Sequence, residues 1–468
     1  MELENRDRNA GRFATRIKSS VMETGYGIVR LGKSLRMLGE EDPRRIIHSF
    51  KFGLALTLVS LLYYVRPLWD EFGVSGMWAI ITVIVDFDFS VGGTLSRFTY
   101  RGCATFAGAA LGAVTLRLTC IFHEVAQAII IGALVFLLAA AAAFLRFVPV
   151  IKERYDYGVK IFILTVSVVL VYGYRYDDSL EWNRERFQTI LIGWAICVMV
   201  SICLWPTWAG KDLQNMIAMH MEKLAIHLEE FGRRYFASEE RPTSSNLTDD
   251  DKTSEHGYQC ILVSKTTEED LANFTKWEMF FGLFRSRYSW EHYLKIGDLA
   301  RKCACQIEAL GCHVNSNIQA STVFDQRIKE LCIKISSELS MALNVFSQSI
   351  KSMTDPSPAN VHVRNSSIAA KELESAVKEM LLDGSTDILT MVPSAATTVI
   401  LAQVVNCVEN ISEAVHELAQ VAAFKGIIVK SSLLQRFNSS RVVPVTNSEE
   451  CIIAIPVVQE NDFILTGA

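Results

Sequence analysis

Six apolar stretches in the first half of the chain constrain its fold more than any other feature. They follow one another closely, at residues 50–65, 73–87, 98–118, 125–147, 158–174 and 187–205. A straight membrane-spanning helix needs about 20 apolar residues, so the longer stretches can cross a bilayer directly. The first two are shorter, and we expect them to be tilted, to extend past these bounds or to lie partly inside protein. The pattern predicts an all-α membrane protein with six transmembrane helices in residues 48–207.

The charges that flank these stretches predict the orientation of the chain. Residues 1–47 are rich in arginine and lysine, which favours a cytosolic position and contact with anionic lipid. Six spans return the chain to that same side, where Lys152 and Arg154 then satisfy the positive-inside rule. The opposite side fits the rule less well, because arginines lie there among acidic residues at 175–186. No secretory signal peptide is recognisable.

The second half of the chain has the pattern of amphipathic helices. Leu213, Ile217 and His220 begin a series of apolar or half-polar positions at spacings of three and four, with charged residues on the other faces. Further helical patterns cover residues 277–311, 325–351, 366–382 and 395–424. A polar, acidic stretch near 238–253 predicts a mobile linker. Residues 208–468 are therefore predicted to form a cytosolic α-helical regulatory domain.

The composition and motif content exclude several classes of function. The chain is 50% hydrophobic and 21% charged, with a formal net charge of −5, so no basic surplus indicates a nucleic-acid partner. The eleven cysteines show no zinc-site spacing, and we expect reduced thiols and no cofactor. No nucleotide-binding loop, GxSxG motif or HExxH motif occurs. An enzyme is not predicted.

Basic residues inside or beside the apolar stretches are the strongest functional signal. An ionisable group in hydrocarbon costs roughly 2.5–3.5 kcal/mol on insertion scales, so it marks a functional site by default. Arg97 and Arg101 lie one turn apart on one helical face, where like charges repel. Lys160 lies one turn inside the fifth stretch. We predict an anion pathway from six basic residues: Lys51, Arg97, Arg101, Lys152, Arg154 and Lys160.

Structural roles for the same residues remain open at this point. Lys160 is placed at i,i+4 from Asp156, a spacing that permits a local ion pair. Arg97 and Arg101 are near the start of the third stretch, from which long side chains can extend to lipid headgroups.

Two carboxylates and two glycines add further alternatives. Asp86 and Asp88 close the second stretch, either as proton or cation ligands or as counter-charges to basic groups, Lys51 among them. Gly108 and Gly112 form a GxxxG step that lets helix backbones approach closely. This step predicts helix packing, within one chain or along a seam between two copies.

Outward-facing carboxylates form a second candidate site. Oxygen ligands suit hard multivalent cations, and acidic residues collect in the two regions predicted to be extracellular. The candidate ligands are Asp70, Glu71, Asp177, Asp178 and Glu181. The alternative is that these side chains are solvated loop charges, and no metal site is firmly predicted.

Several short motifs, in order along the chain, resemble one plant family. They are EDPRR at 41–45, HSFK at 48–51, MWA at 77–79, FSVG at 89–92, RYDYG at 154–158, ILIG at 190–193 and WAG at 208–210. Together they resemble the aluminium-activated malate transporters (ALMT), and Trp277-Glu278 resembles the family's tryptophan-glutamate-proline motif. Two positions depart from the family pattern: Met279 replaces the proline, and Asp86 replaces an aliphatic residue.

The resemblance implies a function. It implies a passive, voltage-dependent anion channel that conducts malate and in some members inorganic anions, built as a homodimer of six-span subunits. The rather short tail favours the plasma membrane over the tonoplast. The runner-up is a proton-coupled secondary transporter of organic anions, with Asp86, Asp88 and Asp156 as proton carriers. A membrane-anchored scaffold is the third interpretation.

Overall fold

A computed structural model of the protein describes residues 30, 32–34, 36–37, 39–40, 42–175, 179–233, 259–278, 290–316, 326–382 and 388–425. Within these ranges the chain forms helices joined by turns, with one parallel bridge between Thr354 and Lys425. The predicted all-α class is therefore confirmed for the described part of the chain. The predicted linker near 238–253 and most of the basic segment 1–47 lie outside it.

The first half of the described chain contains eight α-helices. They are α1 (Pro43–Tyr64), α2 (Arg66–Phe72), α3 (Met77–Asp86), α4 (Val91–Thr119), α5 (Glu124–Leu145), α6 (Pro149–Arg154), α7 (Asp156–Arg175) and α8 (Ser179–Cys203). Side-chain caps mark two of the starts. Asp42 accepts a hydrogen bond from the Arg44 N–H at the start of α1, and Ser90 accepts one from the Gly93 N–H at the start of α4.

Within the described part of the chain, five helices are long and apolar enough to cross a bilayer. They are Pro43–Tyr64, Val91–Thr119, Val125–Leu145, Asp156–Arg175 and Arg184–Cys203. The second predicted stretch instead forms a shorter apolar segment, Gly73–Asp86, made of a 3₁₀ turn followed by α3. Helix α3 has 10 residues, so its length of about 15 Å covers half of a hydrocarbon core roughly 30 Å thick.

Helix α3 is partly enclosed by protein, although its residue Ile84 is 54% exposed. Its residues Ala79 and Val83 are buried against Ala55 and Val59 of α1 and against Cys197 of α8. A helix enclosed in this way does not have to match the thickness of the bilayer by itself. Of the alternatives considered for this stretch, the structure supports a position partly inside protein.

Small residues bring α4 and α7 into close contact. A Cβ atom built at Gly112 would lie 2.6 Å from Cγ1 of Val169, and one at Gly108 would lie 3.0 Å from Cβ of Thr165. Both distances are shorter than an ordinary carbon–carbon contact, so only glycine fits at these positions. The GxxxG step therefore serves packing within the chain, between α4 and α7.

The start of α1, the start of α4 and the end of α8 meet at one end of the membrane domain. The Val91 N–H of α4 donates to the Thr207 carbonyl, which follows α8, at 3.0 Å. Arg44 of α1 forms an ion pair of 2.5 Å with Asp212, just beyond α8. Burial raises the pKa of Asp212, and Arg44 partly offsets this effect.

The second half of the described chain forms a separate layer of helices. They are α9 (Ala209–Gly232), α10 (Gln259–Leu262), α11 (Lys265–Glu278), α12 (Trp290–Ser316), α13 (Gln326–Ser352), α14 (Ala359–Leu382) and α15 (Ile388–Val421). Helix α9 packs against α13, and α12 packs against α15. The amphipathic face predicted from the sequence is buried in this core, including Leu213, Ile217 and His220.

One predicted helix in this half is described only in part. The pattern at 277–311 predicts a single helix; its first two residues, Trp277 and Glu278, belong to α11, and the residues from Trp290 onward belong to α12. The residues between, Met279 included, lie outside the described part.

Candidate functional site

A buried cluster of polar side chains joins three helices of the membrane domain. Asp86 ends α3, Arg101 lies in the middle of α4, and Tyr157 lies in the first turn of α7. The Asp86 side chain is 0% exposed, and Arg101 is 3% exposed. The Tyr157 hydroxyl donates to Oδ1 of Asp86, and Nη1 of Arg101 lies 3.5 Å from Oδ2 of Asp86. Opposite charges thus meet inside the bundle.

The Arg101 guanidinium keeps unused donors. Its Nε and Nη1 atoms and Oδ2 of Asp86 make no hydrogen bond with any residue that the structure describes. A tight guanidinium–carboxylate pair would instead make two parallel N–H···O bonds of about 2.7–2.9 Å. Because a buried donor without an acceptor is costly, this arginine is suited to receive a further anionic group.

A second buried arginine contacts helices α3 and α7. Arg186 of α8 is 3% exposed, its Nη2 atom donates to Oγ1 of Thr165 in α7 at 3.5 Å, and its guanidinium carbon lies 3.8 Å from the ring centroid of Trp78 in α3. The aromatic face stabilises the cation. We assigned this arginine to an outer loop from sequence. Its position one residue before the sixth apolar stretch was the signal that could have found it.

Arg97 occupies a more open position than Arg101. Its Nε atom lies 3.2 Å from Oδ2 of Asp88, and its side chain is 43% exposed. Asp88 also accepts a hydrogen bond from the Phe89 N–H at 2.7 Å. The predicted alternative in which Asp86 and Asp88 balance basic groups therefore holds, but their partners are Arg101 and Arg97.

Lys51 is not one of those partners. It is buried in α1, and its Nζ atom donates to the Trp205 carbonyl after α8 at 2.7 Å. Trp205 has a positive φ of 40°, which turns its carbonyl out of the α8 hydrogen-bond ladder. The expected pairing of Lys51 with the two aspartates is wrong, because the end of α8 lies closer to it.

The basic residues around α6 and α7 form an outer group. Lys160 and Arg146 each lie 2.5 Å from the carboxylate of Asp156, so the local ion pair considered for Lys160 is present. Lys152 is exposed, and the side chain of Arg154 lies outside the described part of the chain. The structure brings Arg97 and Arg101 together near α3 and leaves the α6–α7 group at the surface.

The candidate multivalent-cation site stays a prediction. Asp70 is exposed on α2, and the other four side chains named for the site, Glu71, Asp177, Asp178 and Glu181, lie outside the described part. Among the described residues, no group of three or more histidine, cysteine, aspartate or glutamate side chains could hold a metal ion.

One carboxylate joins the helices in the second half of the chain to the membrane helices. Glu278, at the end of α11, is 1% exposed and accepts hydrogen bonds from three backbone N–H groups, those of Gly92, Ala209 and Gly210. These groups belong to the first turns of α4 and α9, where helix dipoles favour negative charge. Burial raises the pKa of Glu278, and the backbone amides partly offset this effect.

A second buried carboxylate organises the core of the helices in the second half of the chain. Oε2 of Glu268 in α11 lies 2.5 Å from Nη1 of Arg301, and its other oxygen accepts from the Ser264 hydroxyl at 2.7 Å. The neighbouring His220 is buried, and burial together with Lys223 and Arg301 lowers its pKa to about 4. Its side chains all come from the second half of the chain and interact with one another, so this cluster serves the fold.

Together these features define a class of protein. Several membrane-spanning helices enclose charged side chains, and such residues in spans line transport pathways far more often than lipid. The protein is thus a multi-pass helical membrane protein with the hallmarks of a transporter or channel.

Comparison with known sequences gives the family. The family model described as "Aluminium activated malate transporter" matches residues 36–386, and the chain belongs to that family. It is 42% identical over 404 residues to "Aluminum-activated malate transporter 2" of Arabidopsis thaliana, covering 86% of this chain and 80% of that protein. It is 37% identical over 394 residues to "Aluminum-activated malate transporter 1" of Triticum aestivum, covering 82% and 84%.

Proposed function

We propose that this protein is a passive, voltage-dependent anion channel that conducts malate and inorganic anions across a plant cell membrane. The observation that carries the proposal is the Arg101 guanidinium, buried between three membrane helices with donors that no described residue uses. A dicarboxylate must shed water inside the membrane, and a fixed guanidinium offsets that loss with paired hydrogen bonds. The relatives' names, which specify malate transport, support the choice of substrate.

We propose that a permeating anion meets three arginines in order along this pathway. Arg97 is the partly exposed entry charge, Arg101 is the first buried charge, and Arg186 lies beyond it on α8. Conduction requires several weak sites and not one tight site. Three successive arginines, each of which already contacts a protein group, meet that requirement. Charges fixed within the transmembrane field also give voltage a means of acting on the protein.

The proposed architecture is a homodimer of six-pass subunits with a cytosolic helical domain, in the plasma membrane. The contacts of Val91 with Thr207 and of Arg44 with Asp212 support an even number of passes, since they join the starts of α1 and α4 to the end of α8. Helix α3 with its 3₁₀ turn then supplies the one remaining pass, which is short and comes second in chain order.

Recording anion currents tests the proposal. We expect Arg101→Gln to lower malate current at least ten-fold per surface protein, because the buried cation that offsets desolvation is lost. Arg117→Gln is the matched control, since Arg117 is an exposed residue in the last turn of the same helix. Equal currents from Arg101→Gln and wild type at equal surface abundance would remove Arg101 from the pathway.

A proton-coupled organic-anion transporter is the second candidate. The buried Asp86 carboxylate, bonded to the Tyr157 hydroxyl, is the observation in its favour, since intramembrane carboxylates carry protons in many transporters. The two mechanisms differ in reversal potential. For a channel the reversal potential follows the anion gradient alone, whereas for coupled transport it also shifts with an imposed pH gradient.

A further inference from the structure

Asp86 presents a carboxylate to the same guanidinium that a permeating carboxylate would use. We propose that Asp86 is an internal competitor for Arg101, and that it sets the malate concentration at which the pathway half-saturates. This inference rests on the anion conduction proposed above. It assigns to Asp86 the role of a specificity-determining residue that keeps the binding of permeating anions weak.

The geometry of the pair fits an occupant that can be displaced. Oδ2 of Asp86 lies 3.5 Å from Nη1 of Arg101, which is longer than a strong charge-assisted hydrogen bond. The Tyr157 hydroxyl donates to the other oxygen, Oδ1, and so keeps the carboxylate from turning fully toward the arginine. An incoming carboxylate therefore displaces a loose ionic contact and not a closed, two-bond pair.

Burial strengthens the electrostatic interaction between Asp86 and Arg101. Asp86 and Arg101 are 0% and 3% exposed, so little water screens the charge of one from the other or from an anion between the helices. While Asp86 is ionised beside Arg101, the net charge of the pair is zero. An anion that enters is attracted only to the extent that it replaces Asp86 at the guanidinium.

The neighbouring pair on the same helix does not share these properties. Arg97 contacts Asp88 at 3.2 Å, but its side chain is 43% exposed. Water screens this pair, so removing Asp88 would change the local field less than removing Asp86.

The test is the dependence of current on cytosolic malate concentration in cells that express the full chain. In Asp86→Asn the competing charge is gone, and we expect the half-saturating malate concentration to fall at least three-fold. In Tyr157→Phe the hydroxyl no longer holds Oδ1, the carboxylate turns to Arg101, and the half-saturating concentration should rise about two-fold. A role of Asp86 in folding alone would lower surface abundance and leave this concentration unchanged.

Asp298→Asn is the charge control, because Asp298 is an exposed residue of α12 paired with Lys302 at 2.9 Å. Its half-saturating concentration should equal that of wild type. If Asp86→Asn does not reach the cell surface, the half-saturating malate concentration of Tyr157→Phe alone tests the role of Asp86. If the variants conduct but their half-saturating malate concentration is unchanged, or moves in the opposite direction, the proposed role of Asp86 is overturned. The proposed channel function would still stand. Absence of anion current from wild type overturns the proposed function and this inference with it.

Discussion

Buried charges in this protein are tolerated because each lies against a specific partner. Arg101 has Asp86, Arg186 has the Trp78 ring, and Lys51 has the Trp205 carbonyl. Each partner supplies negative charge or electron density where water cannot reach. These contacts differ in length and kind, and we propose that an anion enters at the Arg101–Asp86 contact, which is 3.5 Å long.

His220 provides a prediction at the scale of one residue. Its pKa is about 4 in the folded protein and 6.5 in an unfolded chain, so between these values only the unfolded state takes up the proton. Stability is therefore fully present above pH 6.5 and is lost as the pH falls toward 4, by about 3 kcal/mol in total. Melting temperatures in detergent across this range measure the loss.

His220→Gln does not titrate, so its melting temperature should fall less between pH 7 and pH 4 than that of wild type. The exposed His123→Gln is the control and should follow wild type. Parallel pH curves for wild type and His220→Gln would show that this histidine does not contribute to acid sensitivity.

At the scale of the helices, the close packing of α4 against α7 is the most important contact. Helices in lipid gain no hydrophobic energy from associating, so contact between their backbones has to come from small side chains and van der Waals packing. Gly108 and Gly112 supply the small side chains on α4, and Thr165 and Val169 fill the space on α7. This packing holds Tyr157 and Arg101 on facing helices.

We expect Gly112→Ala to destabilise the protein by about 1–3 kcal/mol, the usual effect of overpacking. The added Cβ would lie 2.6 Å from a carbon of Val169, so one helix must shift. Gly102→Ala in the same helix is the matched control, since a Cβ there meets no atom within 4 Å. Thermal stability in detergent measures both, and equal melting temperatures for the two variants would contradict the packing argument.

At the scale of the whole molecule, the Glu278 carboxylate links the two halves of the described chain. It binds amides from both the membrane helix α4 and helix α9, while its own helix α11 belongs, like α9, to the second half of the chain. A Cβ added at Gly92 would lie 2.3 Å from the Phe274 carbonyl oxygen of α11, so backbone contact also requires glycine here. The two halves of the chain meet at this joint without a flexible spacer.

Glu278→Gln should lower stability by about 3 kcal/mol, because an amide nitrogen would then face backbone donors that need an acceptor. Glu269→Gln is the control on the same helix, since Glu269 is about half exposed and lies 3.9 Å from Lys265. Its effect should stay within about 0.5 kcal/mol. A Glu278→Gln protein that melts with wild type would show that the joint depends on other contacts.

The sequence by itself determined the class of fold and the position of most helices. Hydropathy and helical periodicity are local properties, so spacing alone predicted six spans and the amphipathic face of α9. Five helices among the described residues are long and apolar enough to be such spans. The same local signal marked Arg97, Arg101 and Lys160 as charges in or near hydrocarbon. It also marked the shortness of the second stretch, which the structure explains by its burial between α1 and α8.

Only the tertiary structure decided which residues meet. Asp86 pairs with Arg101 and not with Lys51, Arg186 points among the helices and not into a loop, and Glu278 reaches an amide 186 positions earlier in the chain. Each outcome depends on the rotation of a helix about its axis and on the neighbour that it packs against. Residues far apart in sequence set both quantities, so spacing along one helix carries no information about them.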